Sequence, residues 1–236
     1  MIPISDNVFF FGSRKPIVVY GLIILNLAIF ILEITLEPGN NLTAFVYNFG
    51  LLPAKISTSF LELMEGNLAA MIIIFTSFLS LLTAVFLHSS FSQILGNLIF
   101  LWVFGRTIEK IIGCSHFILL YFSACLITGI IQVVAEPSLT IPLVGSNGPV
   151  AAILGAYIFK FPNVKIYSVL PLVIIFIPVE IPAFIYMFWW FIQQIFYSVG
   201  SLDIAGGVNP YSPSYWMDGA GLIFGAALIS LFQRKG

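Results

Sequence analysis

The chain has 236 residues, of which 60% are apolar and 8% charged, with 24 phenylalanines and a formal net charge of −1. Soluble domains carry about 25% charged residues, so a water-soluble globular fold is excluded and a multi-pass membrane protein is indicated. No basic cluster exceeds the pairs Arg14-Lys15 and Arg234-Lys235, which leaves no electrostatic footprint for nucleic acid.

Several apolar stretches approach the roughly 20 residues that cross a hydrocarbon core as helix, and none alternates with the period of two of a membrane barrel strand. The expected class is therefore all-α. The first span is expected over 16–36, after a short cytoplasmic segment 1–15 that lacks the pattern of a cleavable signal. Glu37-Pro38-Gly39-Asn40-Asn41 is a dense turn signal that ends it. A mixed loop follows to about Gly66, and then an apolar stretch, 67–87, whose role the sequence leaves open. Further spans are expected at about 91–113, 116–134, 149–161, 182–198 and 216–232, with a tail at 233–236. Pro149 suits the first turn of a helix, where a missing N–H leaves nothing unsatisfied. Pro171, Pro178 and Pro182 break the long apolar region 166–198 into a short buried or interfacial piece and the fifth span, and 199–214 reads as a loop.

Short cytoplasmic loops carry the Lys/Arg excess. Six spans with both ends inside place all nine basic residues except Lys55 on the cytoplasmic side. A crossing by 67–87 would move Arg14 and Lys15 outside and Lys55 in, a slightly poorer arrangement. The two cysteines, Cys114 and Cys125, have neither the number nor the spacing of a metal site or disulfide framework, so no metal and no cofactor is expected.

Two short segments carry the chemistry: Gly145-Ser146-Asn147-Gly148 opens the fourth span, and Trp216-Met217-Asp218-Gly219-Ala220-Gly221 opens the sixth. Both resemble the active-site segments of the rhomboid intramembrane serine proteases. Phe49-Gly50-Leu51-Leu52-Pro53-Ala54, Phe86-Leu87-His88 through Gly96-Asn97, Gly105-Arg106-Thr107-Ile108-Glu109, Gly155-Ala156-Tyr157 and Trp189-Trp190-Phe191-Ile192-Gln193 are similar to further rhomboid segments, in the same order. The resemblance implies a six-transmembrane-helix rhomboid-like bundle in which 67–87 is membrane-associated without crossing.

Rhomboid catalysis uses a serine at the start of the fourth span, a histidine base from the sixth, and His and Asn donors from the second for the developing oxyanion. Matched position by position, the nucleophile slot holds Asn147, the base slot Asp218, and the oxyanion slots Gln93 and Asn97. His88 matches an upstream family histidine that is not the base. Ser146 is adjacent to the nucleophile slot, but one step along a helix start turns its side chain away from the sixth span. Asn147 and Asp218 are expected to bond to each other and so tie the fourth span to the sixth. Gly148, Ala151, Ala152 and Gly155, facing Gly221 and Gly225, have the small-residue spacing of close membrane-helix contact.

The resemblance therefore implies a protease frame without competent reacting groups: a pseudoprotease that sits in the bilayer and binds transmembrane segments of client proteins, as the inactive relatives iRhoms and derlins do. The alternative is an active intramembrane serine-type endopeptidase using an altered site. A transport or channel role would call for internal repeats and matched broken helices, which the sequence does not display.

Overall fold

The computed structural model describes residues 2–8, 15–36, 40–172, 175–188, 190 and 215–232. Helix α1 (Ile17–Thr35) buries Val19, Leu22, Asn26 and Glu33 along one stripe. Ile17, Ile24, Ile31 and Ile34 point outward. Polar groups thus face the bundle and isoleucines face out, the reverse of a soluble helix and the arrangement lipid demands. No side chain of its own caps the start of α1. Glu109 does so from far along the chain: its buried carboxylate accepts the N–H of Val18 at 3.0 Å and of Val19 at 2.8 Å, two of the four donors a helix start leaves unpaired.

Three shorter helices follow: α2 (Asn40–Phe49), α3 (Pro53–Met64) and α4 (Ala70–Thr83). A tight turn, Ala84–Phe86, leads to α5, which runs Phe91–Ile112. The Ser90 hydroxyl caps α5 by accepting the Gln93 N–H at 3.2 Å. A single wide turn at Leu101–Gly105 interrupts its winding, placing Gly105 against Val19 and Phe117. Gly113, at φ 82, is the whole connection to α6 (Cys114–Ala135); Cys114 is already helical, where a two-residue loop was expected. The helices α1, α5 and α6 are long and apolar enough to cross a membrane, and 70–86 and 216–231 are shorter apolar helices.

At the centre lies α7 (Asn147–Lys160), every residue of which from Gly148 to Ile158 is buried. The last helix, α8 (Tyr215–Leu231), packs along it. Cβ atoms built on Gly221 and Gly225 would strike the carbonyls of Gly148 and Ala152, and one on Gly155 the carbonyl of Leu222. The expected close approach of the two helices is present, and glycine is what permits it.

The segment before α7 has no regular structure, yet it is not left bare. Leu51 and Leu143 exchange both backbone hydrogen bonds, at 3.0 and 2.8 Å, the Ala54 N–H reaches the Leu139 carbonyl at 3.0 Å, and the Gly145 N–H reaches Ala84 at 2.9 Å. Irregular backbone at membrane depth is tolerated only when protein satisfies it in this way.

The all-α expectation requires a correction. Three strands, β1 (Ile2–Asp6), β2 (Lys165–Leu172) and β3 (Ile175–Pro182), form an antiparallel sheet in that order. The expected buried or interfacial piece is thus a hairpin, in register from Lys165 opposite Pro182 to Leu172 opposite Ile175. Its composition explains the outcome: the segment is rich in Ile and Val, which favour strands, while prolines exclude a helix interior. Pro178 and Pro182 lie on an edge strand, and Pro171 lies beyond Val169, where pairing with β1 ends. Asp6, at the end of β1, accepts hydrogen bonds from the Thr107 hydroxyl at 2.7 Å and the Tyr157 hydroxyl at 3.0 Å, fastening the sheet to α5 and α7.

Residues 183–188 and Trp190 are helical, at the start of the expected fifth span. The rest of that span, the 199–214 loop, the 37–39 turn and the 233–236 tail lie outside the described residues.

Candidate functional site

The start of α7 brings together the second span, the irregular segment and the first turn of α8. Gly145 adopts φ 113, a conformation that favours glycine, and a Cβ there would run into the Gln93 side-chain amide. This lets Gln93 cross to the irregular segment, where its Nε2 donates to the Val144 carbonyl at 2.9 Å. Its Oε1 accepts from the Ser89 N–H at 2.8 Å and the Ser89 hydroxyl at 3.0 Å.

Asn97 lies one turn further along α5. Its Nδ2 donates to Asn147 Oδ1 and to His88 Nε2, each at 3.3 Å. His88 Nδ1 lies 3.3 Å from the Phe86 carbonyl, a contact that requires the proton on Nδ1 and leaves Nε2 as the acceptor Asn97 needs. The imidazole is buried, and burial, only partly opposed by the Phe86 bond, pushes it down to about 4. His88 is thus neutral at physiological pH. Its backbone N–H lies 3.2 Å from both carboxylate oxygens of Glu33 on α1. The order Glu33, His88, Asn97, Asn147 is a continuous polar connection from α1 to α7.

Asp218 stands apart from it. The residue is 2% exposed, and neither carboxylate oxygen has a hydrogen-bond partner among the described residues. The expected bond between Asn147 and Asp218 is therefore absent: Asn147 Oδ1 accepts from Asn97 on α5, and glycine contacts hold α7 to α8.

Ser146 immediately precedes α7, caps no backbone N–H and is buried. Ser146 and Asn26 both lie near the Tyr121 hydroxyl, which has no hydrogen-bond partner among the described residues. Gly148 fits because a Cβ there would collide with the Thr128 side chain on α6. Among the described residues no group of His, Cys, Asp or Glu side chains is arranged to hold a metal. The chemistry available at the head of α7 is hydrogen bonding: among the described residues no serine there is bonded to an imidazole or carboxylate base, and the Cys114 thiol, which donates to Glu109 Oε1 at 3.2 Å, sits at the start of α6.

Sequence reasoning placed Gln93, Asn97, Gly145, Asn147, Gly148 and Asp218 together at the head of α7, but it assigned no role to Glu33 and none to His88. A signal for Glu33 existed, since an ionisable side chain inside an apolar span needs a partner.

The arrangement defines a polytopic α-helical membrane protein with a buried polar site at the head of a central helix. The rhomboid domain family matches residues 76–235, and the chain belongs to the rhomboid family. It is 27% identical over 95 residues to Rhomboid protein 1, mitochondrial, of Saccharomyces cerevisiae, a match covering 39% of this chain and 28% of that protein. It is 32% identical over 79 residues to the Putative rhomboid protease YdcA of Bacillus subtilis, covering 34% and 39%. The matched segments span well under half of either relative.

Proposed function

We propose that this rhomboid-family protein is a pseudoprotease that holds transmembrane segments of client proteins without cleaving them. The observation that carries the reading is the bonding of the nucleophile slot: an amide, Asn147, fills it and is bound to Asn97, one of the groups that would otherwise face an oxyanion. Gln93 is bound to the Val144 carbonyl, and the base slot holds a carboxyl without a partner among the described residues. The altered-protease alternative would rest on Ser146, which is buried beside Tyr121 with no base bonded to it among the described residues. An unwound client helix exposes backbone N–H and C=O groups that are costly to leave bare in lipid, and a site of amides and a carboxyl can satisfy them.

The proposal includes six spans, with 1–15 and 233–236 on the cytoplasmic side. It also divides the chain into an N-terminal segment, a membrane domain over 16–232 and a tail.

A serine-reactive fluorophosphonate probe tests the reading. The native protein is expected neither to label nor to cleave a transmembrane substrate. A variant carrying Asn147→Ser, Asp218→His and Gln93→His restores the family groups on the same glycine-packed frame and is expected to label. Cleavage by the native protein that disappears with Ser146→Ala would overturn the proposal.

A further inference from the structure

The hydrogen-bonding groups at the head of α7 are unevenly used. The Asn97 amide donates to both His88 and Asn147, Gln93 Nε2 to Val144, and the Gly145 N–H to Ala84. Acceptor capacity is what stands open, because both oxygens of Asp218 are buried without a donor. The site thus differs from an oxyanion hole: its amide donors are engaged within the protein, and what it leaves open is the carboxyl acceptor in the base slot.

From this imbalance we infer that the site is specific for client transmembrane segments carrying a lysine near the outer end, whose ammonium pairs with the Asp218 carboxylate. The inference rests on the client-binding reading and names the client feature that is recognised. A buried carboxylate with two open oxygens is completed by a cation or a strong donor, and an ionisable residue within a span ordinarily has such a partner. Lysine fits through its reach: a flexible four-carbon stem lies along apolar surface while the ammonium extends beyond it, so the client backbone need not enter the glycine-tight contact of α7 with α8. The depth follows from α8. Asp218 is in its first turn, and the exposed Trp216 marks the level of the membrane interface.

The test uses the full chain in lipid nanodiscs and three fluorescent leucine-rich transmembrane peptides, identical except for Lys, Met or Asp at one position near the outer end. The Lys peptide is expected to bind at least about tenfold more tightly than the Met peptide, the loss typical of truncating one partner of a buried charge pair. Asp218→Asn should bring the ratio of Lys-peptide to Met-peptide affinity to about one, and its thermal melt beside that of the native protein reports that the variant is folded. Asp218→Lys should reverse the preference in favour of the Asp peptide. Equal binding of the Lys and Met peptides to the native protein overturns this inference and leaves the client-binding reading standing. A native Lys-to-Met ratio retained in Asp218→Asn likewise overturns it. Binding of no peptide overturns both.

Discussion

Burial of the His88 imidazole, and its bond with Asn97, give the polar site a pH dependence whose sign can be worked out. Its value in the fold is about 4, against about 6.5 in an unfolded chain. Above 6.5 the ring is neutral in both states and contributes no pH dependence. Between 6.5 and 4 the unfolded chain binds a proton that the fold refuses, so stability falls as pH falls, by about 3 kcal/mol at most. Protonation would also place an N–H on Nε2, facing the Asn97 amide that now donates to it. Thermal melts of the native protein and His88→Gln in detergent from pH 7.5 to 4 are expected to converge as pH falls, because the glutamine cannot charge. Parallel curves would show that His88 does not titrate in this window. Gly145 is the second sensitive residue. Gly145→Ala combines a φ of 113 with a Cβ directed into the Gln93 amide, and is expected to destabilise the fold by roughly 1–3 kcal/mol. The same change at Gly219, whose Cβ would meet nothing within 4 Å, is the control and should be close to neutral.

Between elements, α7 and α8 are joined by backbone approach. Gly225→Val would drive a branched side chain into the Ala152 carbonyl. Overpacking of this kind typically costs about 1–3 kcal/mol, measured as a fall in melting temperature; an unchanged melt would show that the helices can separate there. The sheet is tied in differently. Asp6→Ala removes the acceptor of both the Thr107 and Tyr157 hydroxyls, leaving buried donors unpaired at a cost of about 1–3 kcal/mol. Proteolysis within residues 1–15 should accelerate in that variant; equal rates would show that the strand is held without it. These contacts mark what the sequence could and could not disclose. Glycine spacing on Gly148, Gly155, Gly221 and Gly225 is a local pattern and was legible, as were the long apolar helices. Neither the pairing of β1 with a hairpin more than 150 residues away nor the capping of α1 by Glu109 is a local pattern. The Asn147–Asp218 bond was misread because proximity along two helices says nothing about which neighbour wins a side chain. Asn147 Oδ1 is met by Asn97, on a third helix, and neither Asp218 oxygen is met by a donor among the described residues.

For the whole molecule, the sheet supplies an argument about topology that charge counting could not. Strands β1 and β2 are hydrogen-bonded to each other, so they lie on one side of the bilayer, and the chain between Asp6 and Lys165 must cross an even number of times. The helices α1, α5, α6 and α7 satisfy that condition without α4, and a crossing by α4 would make the number odd. This favours 67–87 as a segment that packs on the bundle without crossing, consistent with Ala84 and the Leu51 turn both bonding the irregular segment before α7. The length of α7 agrees. Fourteen residues rise about 21 Å, short of a hydrocarbon core of about 30 Å, so in the proposed six-span arrangement the irregular segment covers the remaining depth and Asn147 falls below the outer surface. Single cysteines placed in a chain with Cys114 and Cys125 replaced by alanine test the arrangement in sealed vesicles. Ile4→Cys and Glu180→Cys are expected to react with an impermeant maleimide from the cytoplasmic side, and Phe60→Cys and Ser90→Cys from the opposite side. Labelling of Phe60→Cys and Ser90→Cys from different sides would mean that α4 crosses. The crossings before Lys165 would then be odd in number, and β1 and β2 could not share a sheet.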